Sequence, residues 1–221
     1  MYDDEFELTF DLSDEDEASR APAPEQEPVQ EAAPEPAAET EPPGEAGPCR
    51  AGPAANGRCV LIWGGARGIG AAAARAFWQA GYRVAVLYHT HAEAAAALEK
   101  ALPGLLAVQC DVASRASCEV AFHTVEQAVG HVDVLVSNAG IAQQKLFTDI
   151  TPEEWQHMLD VNLSGAFHLC QLALPGMIRR KAGRILTVSS MWGQTGGSCE
   201  VHYSAAKAGL IGLTKALAKE E

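Results

Sequence analysis

The sequence predicts an α/β protein with a doubly wound parallel sheet, in a three-layer αβα arrangement, behind an acidic N-terminal segment. From Arg58 onward, short apolar runs alternate with amphipathic segments, which is typical of parallel strands joined by crossover helices. A glycine-rich run follows the first apolar run directly. Charge and proline content also change sharply near residue 55, which marks where the folded domain begins.

Each element follows from its local pattern. Apolar runs rich in Val, Leu and Ile predict buried strands, and apolar side chains three or four positions apart predict helices. In chain order the prediction is a strand at Cys59–Trp63, helix Ile69–Ala80, strand Arg83–Tyr88, helix Ala92–Leu102, strand Leu105–Cys110, helix Ser114–Val129, strand Val132–Val136, helix Thr151–Arg180, strand Arg184–Ser189 and a helix from about Val201 to the end.

Several helix ends carry their own signals. Gly81 is expected to stop the first helix, because glycine commonly follows a helix C-terminus. Thr151, Pro152 and Glu154 predict a helix start with a capping box. Pro175 is expected to kink or end that helix, since proline removes a backbone donor. The alternation predicts strand order 3-2-1-4-5.

The first 55 residues predict a disordered acidic tail rich in Pro, Glu and Ala. Residues 1–50 carry sixteen acidic residues and two arginines, whereas the remaining chain has a net charge of +1. Nine of the twelve prolines also lie in residues 1–55. Such a segment buries too little apolar surface to offset its ordering entropy. The folded domain is therefore expected over 56–221, and the acidic tail argues against nucleic-acid binding.

The cysteines and histidines predict no metal site. None of the six cysteines forms a C-x-x-C pair, and Cys59, Cys110 and Cys170 fall in apolar runs, which favours buried, reduced thiols. His89 and His91 lack enough neighbouring ligands for a metal. The sequence shows no secretory signal and no apolar run of membrane-spanning length, so a cytoplasmic protein without membrane contact is expected.

Five motifs occur in one order along the chain. They are Gly64-Gly65-Ala66-Arg67-Gly68-Ile69-Gly70, Ser137-Asn138-Ala139-Gly140, Asp160-Val161-Asn162, Ser189-Ser190, and Tyr203 with Lys207. Together they resemble the short-chain dehydrogenase/reductase family. The resemblance covers about Arg58–Glu221 and implies a Rossmann-like sheet that is C-terminally truncated, because the family continues to a sixth and usually a seventh strand.

The glycine loop is predicted to bind a dinucleotide. Gly64, Gly68 and Gly70 lack a Cβ, so the backbone can approach a pyrophosphate at the N-terminus of the following helix. The alternative is a turn that needs glycine for structural reasons alone. One residue departs from the family: Trp63 stands where a threonine usually braces the loop, which puts cofactor affinity in doubt.

The resemblance favours NADP(H) over NAD(H). No acidic residue ends the second strand, whereas Arg67 stands where the family often holds the 2′-phosphate, with His89 as a helper. A solvated surface arginine is the alternative. Asp111 and Val112 match the family's adenine pair. The remaining expected cofactor contacts are Ile69, Asn138, Ala139, Gly140, Tyr203 and Lys207.

The expected catalytic residues are Asn162, Ser190, Tyr203 and Lys207. Tyr203 and Lys207 are four residues apart and therefore share one helix face. The resemblance implies that Tyr203 is the general acid and that the Lys207 ammonium favours its phenolate and holds the ribose. It also implies that Ser190 bonds the substrate oxygen and that Asn162 anchors a water. An ordinary helix surface and an ordinary loop serine are the alternatives.

The implied activity is NADPH-dependent reduction of a ketone to a secondary alcohol. The chain resembles 3-oxoacyl-(acyl carrier protein) reductases, and its 189–201 run is similar to reductases of the 5-aminopentanone group on elongation factor P. Glu200 would then face a cationic amine, or it would simply favour the helix N-terminus. The implied partners are a small-molecule, carrier-linked or protein-linked ketone and, for a complete fold, a second copy in a homodimer or homotetramer. The alternatives are an inactive nucleotide-binding fragment and an interaction scaffold.

Overall fold

The computed structural model describes residues 56–221; the tail predicted for residues 1–55 lies outside the described residues. The strands are β1 (Cys59–Trp63), β2 (Arg83–Tyr88), β3 (Leu106–Gln109), β4 (Val134–Ser137) and β5 (Arg184–Thr187). The helices are α1 (Gly68–Gln79), α2 (Ala92–Ala101), α3 (Arg115–Val129), α4 (Pro152–Leu159), α5 (Gly165–Arg180), α6 (Trp192–Thr195) and α7 (Val201–Glu220). A 3-10 turn covers Phe147–Asp149 and a π-helical turn covers Asp160–Ser164.

The sheet confirms the predicted doubly wound topology. Its order is β3-β2-β1-β4-β5, and every neighbouring pair is parallel. Trp63 at the end of β1 is in register with Leu87 on β2 and with Ser137 on β4. Because all strands run the same way, the loops that follow them meet at the carboxyl edge of the sheet.

Strand β1 shows why both faces of the sheet are covered. Its five residues are all buried. Cys59, Leu61 and Trp63 belong to one hydrophobic core, whereas Val60 and Ile62 belong to the other. Successive strand side chains point to opposite faces. A continuous apolar run in the sequence is therefore a strand buried between two helical layers, as predicted.

The helix predicted as one segment over 151–180 is interrupted. It consists of α4, the π-helical turn and α5. The alternative that Pro175 ends the helix is wrong, because α5 runs through it to Arg180. Ala173 and Met177 on either side are buried in the core, so packing outweighs the lost backbone hydrogen bond. The capping box at Thr151 and Glu154 is present. The predicted bounds of β1 and β2 are confirmed, and the other predicted ends differ from the observed ends by at most two residues.

Trp63 lies inside the larger hydrophobic core. It is 3% exposed, and its ring packs against Gly165 at the start of α5. A Cβ on Gly165 would lie 2.8 Å from Trp63 Cη2, closer than side chains tolerate. The indole therefore occupies space that Gly165 leaves open, beneath the glycine loop.

Strand β5 forms one edge of the sheet among the described residues. Arg184 and Leu186 on this strand are exposed, and 48% of the Leu186 surface is accessible. None of the helices between residues 56 and 221 has the length and apolarity needed to cross a membrane. Over the same residues, no three His, Cys, Asp or Glu side chains are grouped so as to hold a metal ion.

Candidate active site

The glycine loop and the segment after β4 are packed together. Gly64 has φ +69°, and a Cβ there would lie 2.5 Å from that of Ala139. Asn138 Nδ2 donates a hydrogen bond of 3.2 Å to the Gly64 carbonyl. The Asn138 amide therefore braces the glycine loop. Trp63 has no hydroxyl with which to brace it. The two predicted cofactor segments are therefore one structural unit.

The N-terminus of α1 meets the requirements for holding an anion. Arg67 occupies the N-cap position in extended conformation, and no side chain caps the first turn. The first turn carries no acidic residue, and Arg67 and Gly68 are exposed. A helix N-terminus presents free N–H donors and the positive end of the helix dipole. The residues present at this helix start fit a pyrophosphate, and the exposed Arg67 is the cationic residue next to them.

The ends of β2 and β3 differ in how firmly their side chains are held. His89 is exposed, and its carbonyl accepts a hydrogen bond of 3.0 Å from Gln109 Nε2. Asp111 Oδ1 accepts a 3.0 Å bond from the Ala113 N–H, so this carboxylate shapes its own turn. Val112 is buried. Asp111 and Val112 are therefore held in place, whereas His89 is exposed to solvent.

A cleft of about 200 Å³ opens at this edge of the sheet. The predicted site residues that line it are Ile69, Asn138, Gly140, Tyr203 and Lys207. Ile141, Ala142, Val188 and Ser189 complete its walls. Residues from the cofactor loop, the segment after β4 and α7 thus share one cavity.

Lys207 is buried within this cleft. It is 4% exposed, and its Nζ donates a hydrogen bond of 3.0 Å to the Val188 carbonyl. The same nitrogen lies 5.7 Å from the centroid of the Tyr203 ring. Burial lowers the pKa of Lys207 because it disfavours the charged form. The ammonium is therefore anchored by one backbone carbonyl and faces the tyrosine.

Asn162 explains the π-helical turn. Its Nδ2 donates 3.0 Å hydrogen bonds to the carbonyls of Met158 and Ile141. The Met158 carbonyl is the one that the Asn162 backbone N–H would meet in an α-helix. The Asn162 Oδ1 is buried and accepts no hydrogen bond from the described residues. A Cβ on Gly140 would overlap this oxygen and approach Lys207 Nζ, so Gly140 lets the two groups converge.

The two serines after β5 have different partners. Ser190 Oγ accepts a 3.2 Å hydrogen bond from the Trp192 N–H, and this residue is not among those lining the cleft. Ser189 does line the cleft, and its hydroxyl donates a 2.9 Å bond to the Lys207 carbonyl. Ser189 thus holds α7 in place, while the Ser190 hydroxyl lies at the start of α6.

Comparison with known proteins decides the family. The family described as short chain dehydrogenase matches residues 58–221 of this chain. The chain belongs to the short-chain dehydrogenase family. Its members are oxidoreductases that interconvert C=O and CH–OH groups, so the resemblance stated from the motifs is confirmed.

Curated members of the short-chain dehydrogenase family include close relatives of this chain. The acetoacetyl-CoA reductase of Rhizobium meliloti (strain 1021) is 45% identical over 163 residues, which is 74% of this chain and 67% of the relative. The 3-oxoacyl-[acyl-carrier-protein] reductase MabA of Mycobacterium tuberculosis (strain ATCC 25618 / H37Rv) is 39% identical over 163 residues, 74% of this chain and 63% of the relative.

A solved structure shares the fold. The crystal structure of gox2181 aligns with a TM-score of 0.69 and 32% identity, covering 74% of this chain and 66% of that chain. The chain thus spans about two thirds of the length of the relatives it matches.

Two residues that lie next to the lining of the cleft in sequence, His202 and Gln143, are not among those predicted from the sequence. His202, which precedes Tyr203, is fully buried and shares a 2.9 Å hydrogen bond with Gln143 in the loop after β4. A signal for its burial was present: His202, Ala206 and Leu210 follow a spacing of four and form the buried stripe of α7. Nothing in the local sequence pointed to Gln143.

Proposed function

We propose that this domain reduces a ketone to a secondary alcohol with NADPH, using Tyr203, Lys207, Ser190 and Asn162. The observation that carries the proposal is the shared cleft of Tyr203, Lys207, Ile69 and Asn138, in which a buried ammonium faces a phenol. Membership of a family of oxidoreductases acting on C=O and CH–OH groups supports the same reaction class.

The cofactor is held by the glycine loop and by α1. The N–H groups of the first turn of α1 bind the pyrophosphate, and the Lys207 ammonium holds the ribose hydroxyls. When bound, the reduced nicotinamide supplies the hydride that the carbonyl carbon accepts. Arg67 selects NADPH, because it is exposed beside the anion site and no acidic residue stands at the end of β2 to repel a 2′-phosphate.

Tyr203 donates the proton in this reaction. As the carbonyl carbon gains a hydride, its oxygen gains negative charge, and the Tyr203 hydroxyl protonates it. The facing Lys207 ammonium stabilises the phenolate that remains. The Ser190 hydroxyl turns from the Trp192 N–H to hydrogen-bond the same oxygen, which stabilises the charge before the proton arrives. The product is the neutral secondary alcohol.

Asn162 completes the proton path. Its buried Oδ1 lies beside Gly140, which also adjoins Lys207 Nζ. An amide oxygen here binds a water that also contacts the ammonium, and this water passes a proton from solvent toward Tyr203 through Lys207. The π-helical turn fixes the amide in that position through the Met158 and Ile141 carbonyls.

The substrate is a 3-oxoacyl thioester on coenzyme A or on a carrier protein. This assignment rests on the names of the two reductases to which the chain is 45% and 39% identical. A second candidate is the 5-aminopentanone group on elongation factor P, favoured by one observation. Glu200 precedes α7, is partly exposed, and its side chain makes no capping hydrogen bond but accepts one from Gln144 at 3.3 Å. A carboxylate three residues before Tyr203 suits a cationic amine.

The test is NADPH consumption with three ketones. Acetoacetyl-CoA, an acetoacetyl carrier protein and a 5-amino-2-pentanone conjugate are each offered with NADPH or NADH. Turnover of the thioesters supports the first substrate, and turnover of the aminoketone alone supports the second. NADPH binding without turnover of any ketone overturns the proposed activity and supports a nucleotide-binding or scaffold role, for which the exposed β5 edge offers a pairing surface.

A further inference from the structure

A chain of partly buried polar contacts joins α7 to the loop after β4 and to α4. His202 Nε2 lies 2.9 Å from Gln143 Oε1, and Gln143 Nε2 donates a 2.9 Å hydrogen bond to Glu154 Oε1. Glu154 also accepts 2.8 Å bonds from Lys145 Nζ and from the Thr151 N–H. Gln143 is therefore held at both ends of its amide.

The chemistry of Glu154 fixes the direction of this chain. The hydrogen bond from Lys145 is the main reason that the pKa of Glu154 falls to about 2, so Glu154 is an ionised acceptor at neutral pH. An ionised carboxylate only accepts, which makes the Gln143 NH₂ face Glu154 and the Gln143 oxygen face His202. His202 must then donate from Nε2. It is the neutral tautomer with hydrogen on Nε2 and a lone pair on Nδ1.

The surroundings of His202 keep it neutral. Burial lowers the pKa of His202, while Glu154 on α4 and Glu200 before α7 oppose this effect and Lys145 on the loop adds to it. Nδ1 is buried and has no hydrogen-bond partner among the described residues. A proton on Nδ1 would be an unsatisfied charged donor inside the protein, which is costly.

The same loop touches the start of α7 at two further points. The Lys145 N–H donates a 2.7 Å hydrogen bond to the Cys199 carbonyl, and Gln144 Nε2 donates to Glu200 Oε1. Immediately before this tethered segment, Ile141 and Ala142 form a wall of the cleft. On the other side, Tyr203 directly follows His202 on α7. We call these contacts between the loop and the start of α7 the tether; it connects the wall formed by Ile141 and Ala142 to Tyr203, which faces that wall.

We propose that His202 is a positioning residue: through Gln143 and Glu154 it holds the Ile141–Ala142 wall at a fixed distance from Tyr203, and so orients the ketone for reduction. This proposal rests on the proposed ketone reduction. His202 itself contacts neither substrate nor cofactor and acts through the Gln143 amide.

Isosteric variants separate the hydrogen bond from simple packing. Gln in place of His202 keeps a side-chain NH₂ donor, whereas Met has similar length without a donor. We expect His202→Met and Gln143→Met each to lower kcat/KM for the ketone about tenfold, which corresponds to the loss of one hydrogen bond. His202→Gln should stay within about threefold of the wild type, and NADPH affinity within about twofold in all three. Gln156→Met, which removes an exposed 2.8 Å bond to Asp160 outside the cleft, is the matched control.

The double variant His202→Met/Gln143→Met tests the coupling. If the two residues act as one chain, kcat/KM of the double variant should be no lower than that of the more impaired single variant. Additive losses, or a His202→Gln variant as impaired as His202→Met, overturn the proposal.

Amide hydrogen exchange makes the result independent of turnover. The Lys145 amide, bonded to the Cys199 carbonyl, should exchange faster in His202→Met and Gln143→Met but not in His202→Gln. If the wild type reduces no ketone, the proposed function fails, whereas this exchange pattern still supports the tether. Unchanged exchange of the Lys145 amide in His202→Met overturns the tether even when the enzyme is active.

Discussion

Lys207 and Tyr203 both line the cleft, and the Lys207 ammonium faces the Tyr203 phenol ring at 5.7 Å from its centre. This ammonium is held by the Val188 carbonyl and is almost completely buried. Because both residues lie on one face of α7, the spacing of four residues alone sets their separation. Substitutions of Tyr203 and Lys207 therefore test the proposed mechanism most directly.

Tyr203→Phe should lower kcat by about 10²- to 10⁴-fold, the usual contribution of general acid catalysis. NADPH affinity should change by less than about twofold, because the ring remains in place. Steady-state kinetics and a fluorescence titration measure the two effects. Tyr82→Phe is the control, since Tyr82 packs edge-on against Phe77 away from the cleft. Full turnover by Tyr203→Phe would remove this residue from the mechanism.

Lys207 should make the free energy of unfolding of the domain depend on pH in the alkaline range. Its pKa is lowered in the folded state, so between that pKa and the unfolded value near 10.5 the unfolded chain binds more protons. The free energy of unfolding of the wild type should therefore rise relative to that of Lys207→Met as pH increases through this window, by at most about 1.4 kcal/mol per pH unit. Urea unfolding of both proteins between pH 7 and pH 10 measures the difference. A difference that does not vary with pH would contradict the lowered pKa.

Arg67→Gln should weaken NADPH binding about tenfold to a hundredfold and leave NADH binding nearly unchanged, because only the 2′-phosphate loses a charged partner. The ratio of the two dissociation constants is the measurement. Arg75→Gln removes an exposed arginine further along α1 and should leave that ratio unaltered. Equal loss for both cofactors in Arg67→Gln would mean that this arginine does not choose between them.

Gly165→Ala should destabilise the domain by about 1–3 kcal/mol, since the new methyl group collides with the buried Trp63 ring. Gly212→Ala on α7 is the matched substitution, because no atom lies within 4 Å of its added Cβ. It should instead raise stability by about 0.5–1 kcal/mol through helix propensity. Thermal and urea unfolding distinguish the two signs. A neutral Gly165→Ala would show that Trp63 can move aside.

Deleting residues 1–55 should leave NADPH affinity within about twofold of the full chain, because all residues lining the cleft lie between 69 and 207. A fluorescence titration of the two proteins tests this. A loss of binding on deletion would assign the acidic segment a part in the site.

The sequence predicted the fold more completely than it predicted the site. Strand order followed from the alternation of apolar runs and helices, because few topologies satisfy right-handed parallel crossovers. The interruption at Asn162 could not be predicted, since a side-chain amide competes there with the backbone for the Met158 carbonyl. The expectation that Pro175 could end the helix was wrong because the burial of its neighbours on α5 outweighs the missing backbone donor.

Within the site, the motif residues were predictable because the family resemblance pointed to them. For Tyr203 and Lys207, helical spacing adds that they share one face of α7. The separate partners of Ser189 and Ser190 depend on how α6 and α7 pack after β5. Gln143 takes its role from three segments that are distant in sequence, so no local pattern could indicate it.

The fit between Trp63 and Gly165 constrains the order in which these two positions can change during evolution. A lineage that first acquires glycine at 165 pays only a modest loss of helix propensity, and a tryptophan at 63 can then fill the space. The reverse order passes through an intermediate in which the indole and a Cβ overlap. A side chain larger than glycine at 165 therefore requires a smaller residue at 63. The two positions are thus coupled in what substitutions they tolerate, although they are separated by 102 positions in the chain.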